Sequence, residues 1–428
     1  MGTPRSRLRV LSAAGALGAA VVLLAAACGS DGTSLAAFEP ISIERSPATA
    51  IVVSADVPIA IGVSTALTGP VGPRGSEYRD AVVLGVERWK DANGAEIGGH
   101  EIVVHAEDDG CTEADITVTA AERLLSREGL VAVVGPQCSA GAEAAIPIYD
   151  EAGVVAISGS ATRTRLTALQ SIDGFFFRTA FRNEFEGEII GQFVADGLGV
   201  TSAFIVDDSE AYGVDLARST QDALEERGVT ITPRSIDRGQ VDFGELAAEI
   251  VAANPDFVGF AGFNPEAALF YLQLRDAGYA GLFGAADAAA SERDFVGPVG
   301  DDAAEGVYFA GCSTPLPADF AAAFESLHGS PPTASFVAHY ADAVTAVLDA
   351  LATVAEPQAD GALIVDPSRL RDQVRQTTLD AGLSGPVRFT DRGERASSAA
   401  DIEERSAELG LTACQVQDLS LIHISEPT

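Results

Sequence analysis

The sequence predicts an α/β protein built as two doubly wound parallel-sheet lobes, and three observations carry that expectation. From Val57 onward, short apolar strand signals and amphipathic helix signals alternate almost without a break. The alternation falls into two series, one ending at FFFRT and the next opening at NEFEGEIIGQFVADGL. The 428 residues also exceed what one hydrophobic core holds, so two domains are expected. Strands that alternate with helices pair in parallel, because a crossover helix returns the chain to the same end of the sheet. Those helices then cover both sheet faces.

The N-terminus reads as an address. Arg5, Arg7 and Arg9 precede an apolar run from Val10 to Ala27 that ends in AAAC. Residues 1–27 look like a bacterial lipoprotein signal, with Cys28 as the lipidated first residue of the mature chain. Such signals usually carry Leu three places before the cysteine, whereas here that place holds Ala25 and Leu24 stands one earlier. An ordinary cleaved signal or a plain membrane anchor is the other reading. Residues 28–55 are rich in Ser, Thr, Pro and Gly without periodicity and are expected to form a flexible tether. No later segment has 18 apolar residues in a row, so the remainder is expected to be soluble.

In the first series, strand VPIAIGV is followed by a helix from about Gly75 to Asn93, and strand EIVVHAE by a helix from about Thr112 to Arg127. Val131 to Thr162 then reads as strand VAVVGP, loop QCSAG, helix AEAAIPIYDEAG, strand VVAIS and loop GSATRT. This is one βαβ unit, so its two strands end at the same sheet edge. Open α/β sheets bind ligands outside the carboxyl ends of their strands. Both loops here offer hydroxyls and backbone N–H groups, at Ser139, Ser160 and Thr162. The second series contains strands SAFIVDD, VTITPRSI, DFVGFAG, LFGAAD and GVYFAG, separated by helical segments.

Composition excludes several functions. The chain is 47% hydrophobic and 21% charged, as globular domains are. A net charge of -35 argues against nucleic-acid binding, which needs a dense basic patch. Lys90 is the sole lysine, so no phosphate-gripping GxxxxGK[ST] loop exists. No GxSxG surrounds Ser139, neither HExxH nor CxxC occurs, and His100, His105, His328, His339 and His423 are scattered. No enzyme activity, metal site or cofactor is therefore expected.

The motifs ALTGPVGPRG, EDDGCTEAD, VGPQCSAG, VAISGSAT, FFFRTAFRN, DDSEAYGVDLA, GFNPE and GVYFAG stand here in an order that resembles the branched-chain amino-acid-binding family of type I periplasmic binding proteins. The resemblance covers roughly Val57 to Arg392. It implies the substrate-binding component of an ABC importer, with two lobes joined by three hinge crossovers near Arg178 to Ala180, Tyr308 to Gly311 and Pro386 to Phe389. It assigns residues 56–178 with 312–385 to one lobe and 179–311 with 386–418 to the other. It further implies a monomer outside the cytoplasm with permease and ATPase subunits as partners, while the N-terminal signal implies that a lipid on Cys28 anchors it to the membrane.

The resemblance also implies roles for individual residues. Ser139 and Thr162 match positions that hold an amino acid's carboxylate through hydroxyls and main-chain N–H groups, the Ser160 carbonyl and Thr162 hydroxyl match acceptors for its ammonium, and Ala161 between them counts among the ligand contacts. Asp287 falls near the family's acidic residue for that ammonium, although an ungapped match places Ala286 there. Tyr212 and Phe263 match aromatics that close over the ligand from the opposite lobe. Local capping for the hydroxyls and core packing for the aromatics are the alternatives. Arg74 stands where branched-chain binders carry an aromatic, and Arg163 and Arg165 follow Thr162; cations there suit a polar or anionic side chain, unless they simply face water.

Cys111 and Cys138 both follow strands at one sheet edge, within bridging reach. The resemblance implies a disulfide between them; two free buried thiols are the alternative. Cys312 and Cys414 depart from the family pattern. A small amide or urea is an alternative ligand, and a sensory protein of the same fold an alternative role. ACQVQDL is expected to be the final strand, while residues 419–428, LSLIHISEPT, look like translated adapter read-through.

Overall fold

Runs such as IAIGVST and LVAVV are apolar throughout, and every residue in both is buried. Strands covered by helices on both faces require this composition. The computed structural model of the chain describes residues 49–312 and 315–397, together with the strands Thr412–Gln417 and Ser420–His423. The signal 1–27, Cys28, most of the tether and the side chains of Cys312 and Cys414 lie outside the described residues.

The first lobe is a six-stranded sheet in the order Glu96–Ile97, His100–Asp108, Ile59–Thr65, Leu130–Val134, Val155–Ser158, Phe176–Arg178. All neighbours are parallel except the short hairpin at Glu96–Ile97. The second lobe is a seven-stranded sheet in the order Ser420–His423, Thr412–Gln417, Tyr308–Cys312, Leu282–Ala285, Phe257–Ala261, Ser202–Asp207, Thr230–Ser235. Its last five strands are parallel, and the two C-terminal strands are antiparallel. The suspect tail thus supplies an edge strand, a place that any extended segment can fill with main-chain hydrogen bonds.

Several boundaries differ from expectation, and two of them show why. Helix Gly72–Asn93 starts three residues before Gly75, because Pro73 sits in its first turn, where a fixed φ and a missing N–H cost nothing. The expected tether ends early: Ile51–Val53 pairs antiparallel with Leu363–Val365, and Val53 is fully buried. Val53 gains more by burial against the first lobe than by staying in water, whereas Val52 remains exposed.

Helix Val337–Val354 is long and apolar enough to cross a membrane, yet 78% of it is buried inside the protein. Its Val344, Val347 and Leu348 share a core with Val82, Val86 and Trp89 of helix Gly72–Asn93. The second lobe is centred on aromatics, with Phe270, Tyr271, Phe283, Phe295 and Phe309 in successive ring contacts.

The chain leaves the first sheet after Arg178, and that junction is cross-braced. The fully buried Arg178 donates to Glu394 at 2.6 and 2.8 Å and to the carbonyls of Ala161 and Arg163 at 3.0 and 2.8 Å. Arg395 donates to the carbonyl of Thr179 at 2.9 Å, so the segment after Phe389 is bound to the segment after Arg178. Both lobes fall within one compact unit, Pro40–Thr428.

Candidate functional site

Each sheet carries a buried aspartate just past a strand's carboxyl end, and the two play matching parts. Asp109 accepts from the backbone N–H of Cys111 and of Gln137, both at 3.0 Å, and from the Ser64 hydroxyl at 3.2 Å. It thereby ties together the carboxyl ends of three neighbouring strands. Asp208 accepts from the N–H of Phe263 at 3.0 Å and of Glu210 at 3.2 Å. Burial pushes both carboxyls up to about 6, against the pull of their hydrogen bonds. A disulfide joins Cys111 to Cys138 with Cα atoms 4.9 Å apart, adding a covalent tie to the first edge.

The two edges face each other across a cavity of about 320 Å3 of empty volume, part of it open to solvent. The first lobe lines it with Arg74, Tyr78, Gln137, Cys138, Ser139, Ser160 and Phe336. The second lobe contributes Tyr212, Phe263, Asp287 and Ala288. Helix Gly72–Asn93 can deliver Arg74 and Tyr78 because Gly75 lets it approach the first strand's end: a Cβ there would lie 1.8 Å from the carbonyl oxygen of Ala66. Gln137 is fixed by accepting from the Ala66 N–H at 2.9 Å.

One wall offers hydroxyls and aromatic rings. Ser139 opens helix Ser139–Ala152, and its Oγ accepts from the Arg163 N–H at 3.1 Å. The Ser160 hydroxyl donates to the Gln137 carbonyl at 2.7 Å and lies 2.9 Å from the Tyr340 hydroxyl. Tyr340 stacks on Tyr78 at 4.4 Å between ring centroids. The opposite wall is acidic. Tyr212 donates its hydroxyl to Asp287, whose own N–H donates to the Glu186 carboxylate at 3.2 Å. Burial raises both carboxyls above the ordinary range, and the negative charge of Asp287 raises Glu186 further.

Contacts also run between the lobes beside the cavity. Arg74 donates to the Asp287 carbonyl at 3.3 Å and lies 3.9 Å from the Asp294 carboxylate. Arg293 donates to Glu77 at 2.8 Å, and the Ser335 hydroxyl donates to the Asp287 carbonyl at 3.1 Å.

Most residues singled out from the sequence converge here, with exceptions. Ser139, Ser160, Tyr212, Phe263, Asp287 and Arg74 line the cavity. Asp287, not Ala286, carries the carboxylate there, since the loop after Leu282–Ala285 turns its side chain toward Tyr212. Thr162 lies behind the lining, fully buried, with a hydroxyl that has no hydrogen-bond partner and a carbonyl accepting from Asn183 at 2.8 Å. Ala161 also lies outside the lining. Its N–H donates to Ser158 at 2.9 Å and its carbonyl accepts from Arg178, so local bonds already occupy the main-chain groups assigned to a ligand. Arg163 and Arg165 bind Glu143 at 2.6 and 2.8 Å instead of turning inward.

Tyr78, Gln137 and Phe336 were not anticipated. Tyr78 follows Arg74 by four residues, one helical turn, so the helix face already pointed to it. Gln137 adjoins Cys138 in the loop already singled out. Phe336 arrives from a distant segment and has no local signal. Among the described residues no group of three or more His, Cys, Asp or Glu could hold a metal. A second cavity, about 520 Å3, lies within the other lobe against Ile189, Phe193, Leu216 and Phe257, where the lining is almost wholly apolar and offers a ligand no set of convergent polar groups.

Residues 58–404 match a family model described as periplasmic binding protein. An "Amino acid binding protein" of Pseudomonas aeruginosa is 31% identical over 226 residues, 53% of this chain and 59% of that relative's length. The "Leucine-, isoleucine-, valine-, threonine-, and alanine-binding protein" of the same organism is 26% identical over 78% of this chain and 87% of its own. Among solved structures, a leucine binding protein from Thermotoga maritima superposes with a TM-score of 0.72 at 23% identity, covering 86% of this chain and 98% of its own. A solute binding protein from R. palustris in complex with benzoate reaches 0.70 at 18% identity, covering 86% of this chain and 97% of its own, so the fold by itself does not choose a ligand.

Proposed function

Because the chain belongs to the periplasmic binding protein family, whose members bind solutes and are not enzymes, we propose that it is the substrate-binding protein of an ABC importer and captures an amino acid between its lobes. The carrying observation is the cavity's polarity: hydroxyls and a helix N-terminus on one wall face a buried carboxylate, Asp287, on the other. A zwitterion matches that pattern, its carboxylate toward Ser139 and its ammonium toward Asp287. Tyr212 and Phe263, 5.2 Å apart between ring centroids, cover it from the second lobe. The names of the relatives, which bind leucine, isoleucine, valine, threonine or alanine, support the same class.

In this reading the lobes hinge where the chain passes between the sheets, near residues 178–180, 308–311 and 386–389, and the Thr162 hydroxyl, unpartnered just behind the lining, becomes a ligand contact only once a ligand enters. Arg74 then selects for polar side chains only so far as its bond to Asp287 and its approach to Asp294 leave it free. Anchoring follows from Cys28: two or three acyl chains hold a protein on a membrane, and permease and ATPase subunits are the partners there.

Charge-assisted hydrogen bonds contribute roughly 1.5 to 3 kcal/mol each, so a few of them give micromolar affinity. A thermal-shift screen of the amino acids, small amides and urea identifies the ligand. Calorimetry on Ser139→Ala, Thr162→Ala and Asp287→Ala then tests the site, with a loss of about tenfold or more expected for each. Unchanged affinity in both hydroxyl variants moves the ligand elsewhere. Recovery of Cys28→Ala in the membrane fraction, processed as before, removes the lipid anchor from this reading.

A further inference from the structure

Glu186 is fully buried on helix Asn183–Gly191, an uncommon place for a carboxylate without a cation beside it. One oxygen accepts from the Asp287 N–H at 3.2 Å, and the other, Oε2, has no hydrogen-bond partner. The charged groups around it are few. Asp287 faces it from the loop after Leu282–Ala285, and Tyr212 faces both carboxyls from helix Ala211–Glu226. Arg74 reaches the Asp287 main chain from the other lobe, and Asp215 is taken up by Asn183 at 3.0 Å. Two carboxyls thus meet in a buried place, and the cation that acts on Asp287, Arg74, is also drawn toward Asp294.

Resting on the amino-acid reading above, we propose that Glu186 is a positioning residue for the amine subsite: it fixes Asp287 through its main-chain N–H and shares with it one proton that a ligand's ammonium displaces. Like charges in one buried site cannot both ionise cheaply, so without ligand the pair holds a proton. When an ammonium enters, its positive charge replaces that proton, which leaves to the buffer, and the pair becomes fully anionic. Burial and mutual repulsion, which raise both carboxyls, are the electrostatic counterpart of this geometry. Affinity for amine-bearing ligands therefore falls as pH drops, and a carboxylic acid lacking the amine escapes the effect.

The test is calorimetry on the mature protein in buffers of different ionisation enthalpy, which counts protons released on binding. The twenty L-amino acids serve as probes, together with the deaminated analogue of whichever binds. Wild type is expected to release a proton near neutral pH. Glu186→Gln keeps an acceptor for the Asp287 N–H but holds no proton; it should bind the amino acid about tenfold more weakly, release essentially none, and lose the acid-side fall in affinity. Affinity for the deaminated analogue should be unchanged, which a merely damaged fold would not allow. Asp287→Asn should also abolish proton release, as an independent check should Glu186→Gln fold poorly. Wild-type binding with no proton release, or release in both Glu186→Gln and Asp287→Asn undiminished from wild type, overturns this inference alone. Failure of wild type to bind any amino acid overturns the amino-acid reading and this inference with it.

Discussion

Arg293 of the second lobe donates through Nη1 to the fully buried carboxylate of Glu77 in the first, at 2.8 Å. The neighbouring residues cross the other way, Asp294 lying 3.9 Å from Arg74. Glu77 and Arg74 stand three residues apart on one helix, so a single face of it presents both an acceptor and a donor to the opposite lobe. Glu77 also accepts from the N–H groups of Thr333 and Ala334 at 2.7 and 2.8 Å, which hold it in place whether or not Arg293 is present. The two pairs bridge the lobes beside the cavity, and can serve as its latch.

Loosening that latch should act on ligand release. Arg293 is about one-third exposed, so solvent screening reduces the value of its bond. For Arg293→Ala we expect a ligand dissociation rate raised about tenfold, near 1.4 kcal/mol, with a much smaller change in association. Stopped-flow kinetics measures this. Equal off-rates in wild type and Arg293→Ala mean that the pair contributes nothing to closure.

Gly75→Ala should damage the site more than its size suggests. The added carbon would lie 1.8 Å from the Ala66 carbonyl oxygen and 2.6 Å from Gln137 Oε1, and backbone cannot rotate away as a side chain can. Overpacking of this kind costs about 1 to 3 kcal/mol. Because Arg74 adjoins residue 75 and Gln137 lines the cavity, the melting temperature and ligand affinity should fall together.

Reduction of the Cys111–Cys138 bridge should lower stability by about 3 to 4 kcal/mol in the chain-entropy model, its cysteines being 27 residues apart. Cys138 itself lines the cavity, so affinity should weaken as well. Thermal melts and ligand titrations with and without reductant check both effects. Alkylation of both thiols in unreduced protein removes the premise.

Acidification should move stability and binding in opposite directions. Asp109 and Asp208 have folded values raised to about 6, above the unfolded carboxylate range, so the folded state binds the extra protons. Their stabilising contribution is complete below about pH 4 and is lost as pH rises through about 6. The ligand-free melting temperature should therefore increase by about 2 °C or more between about pH 7.5 and pH 5.5. The further upward shift that a bound amino acid gives should shrink over the same interval, because Glu186 and Asp287 then retain their proton. Calorimetric scans with and without ligand separate the two trends.

Local patterning determined the lobes. Apolar runs such as IAIGVST and LVAVV, alternating with amphipathic helices, can bury themselves only as parallel strands between helix layers. The same pattern located one wall of the cavity, since Ser139 and Ser160 follow adjacent parallel strands and must share an edge. Only the tertiary structure decided what faces that wall. Glu77 meets Arg293 across 216 residues, Phe336 arrives from a segment with no motif, and Asp287 is chosen over Ala286 by the turn of one loop. It also withdrew Ala161, Arg163 and Arg165 by giving them partners of their own. Strand and helix signals are carried by neighbours in the chain, whereas the meeting of two side chains across a cleft depends on how two separately folded lobes are set against each other, and no periodicity encodes that.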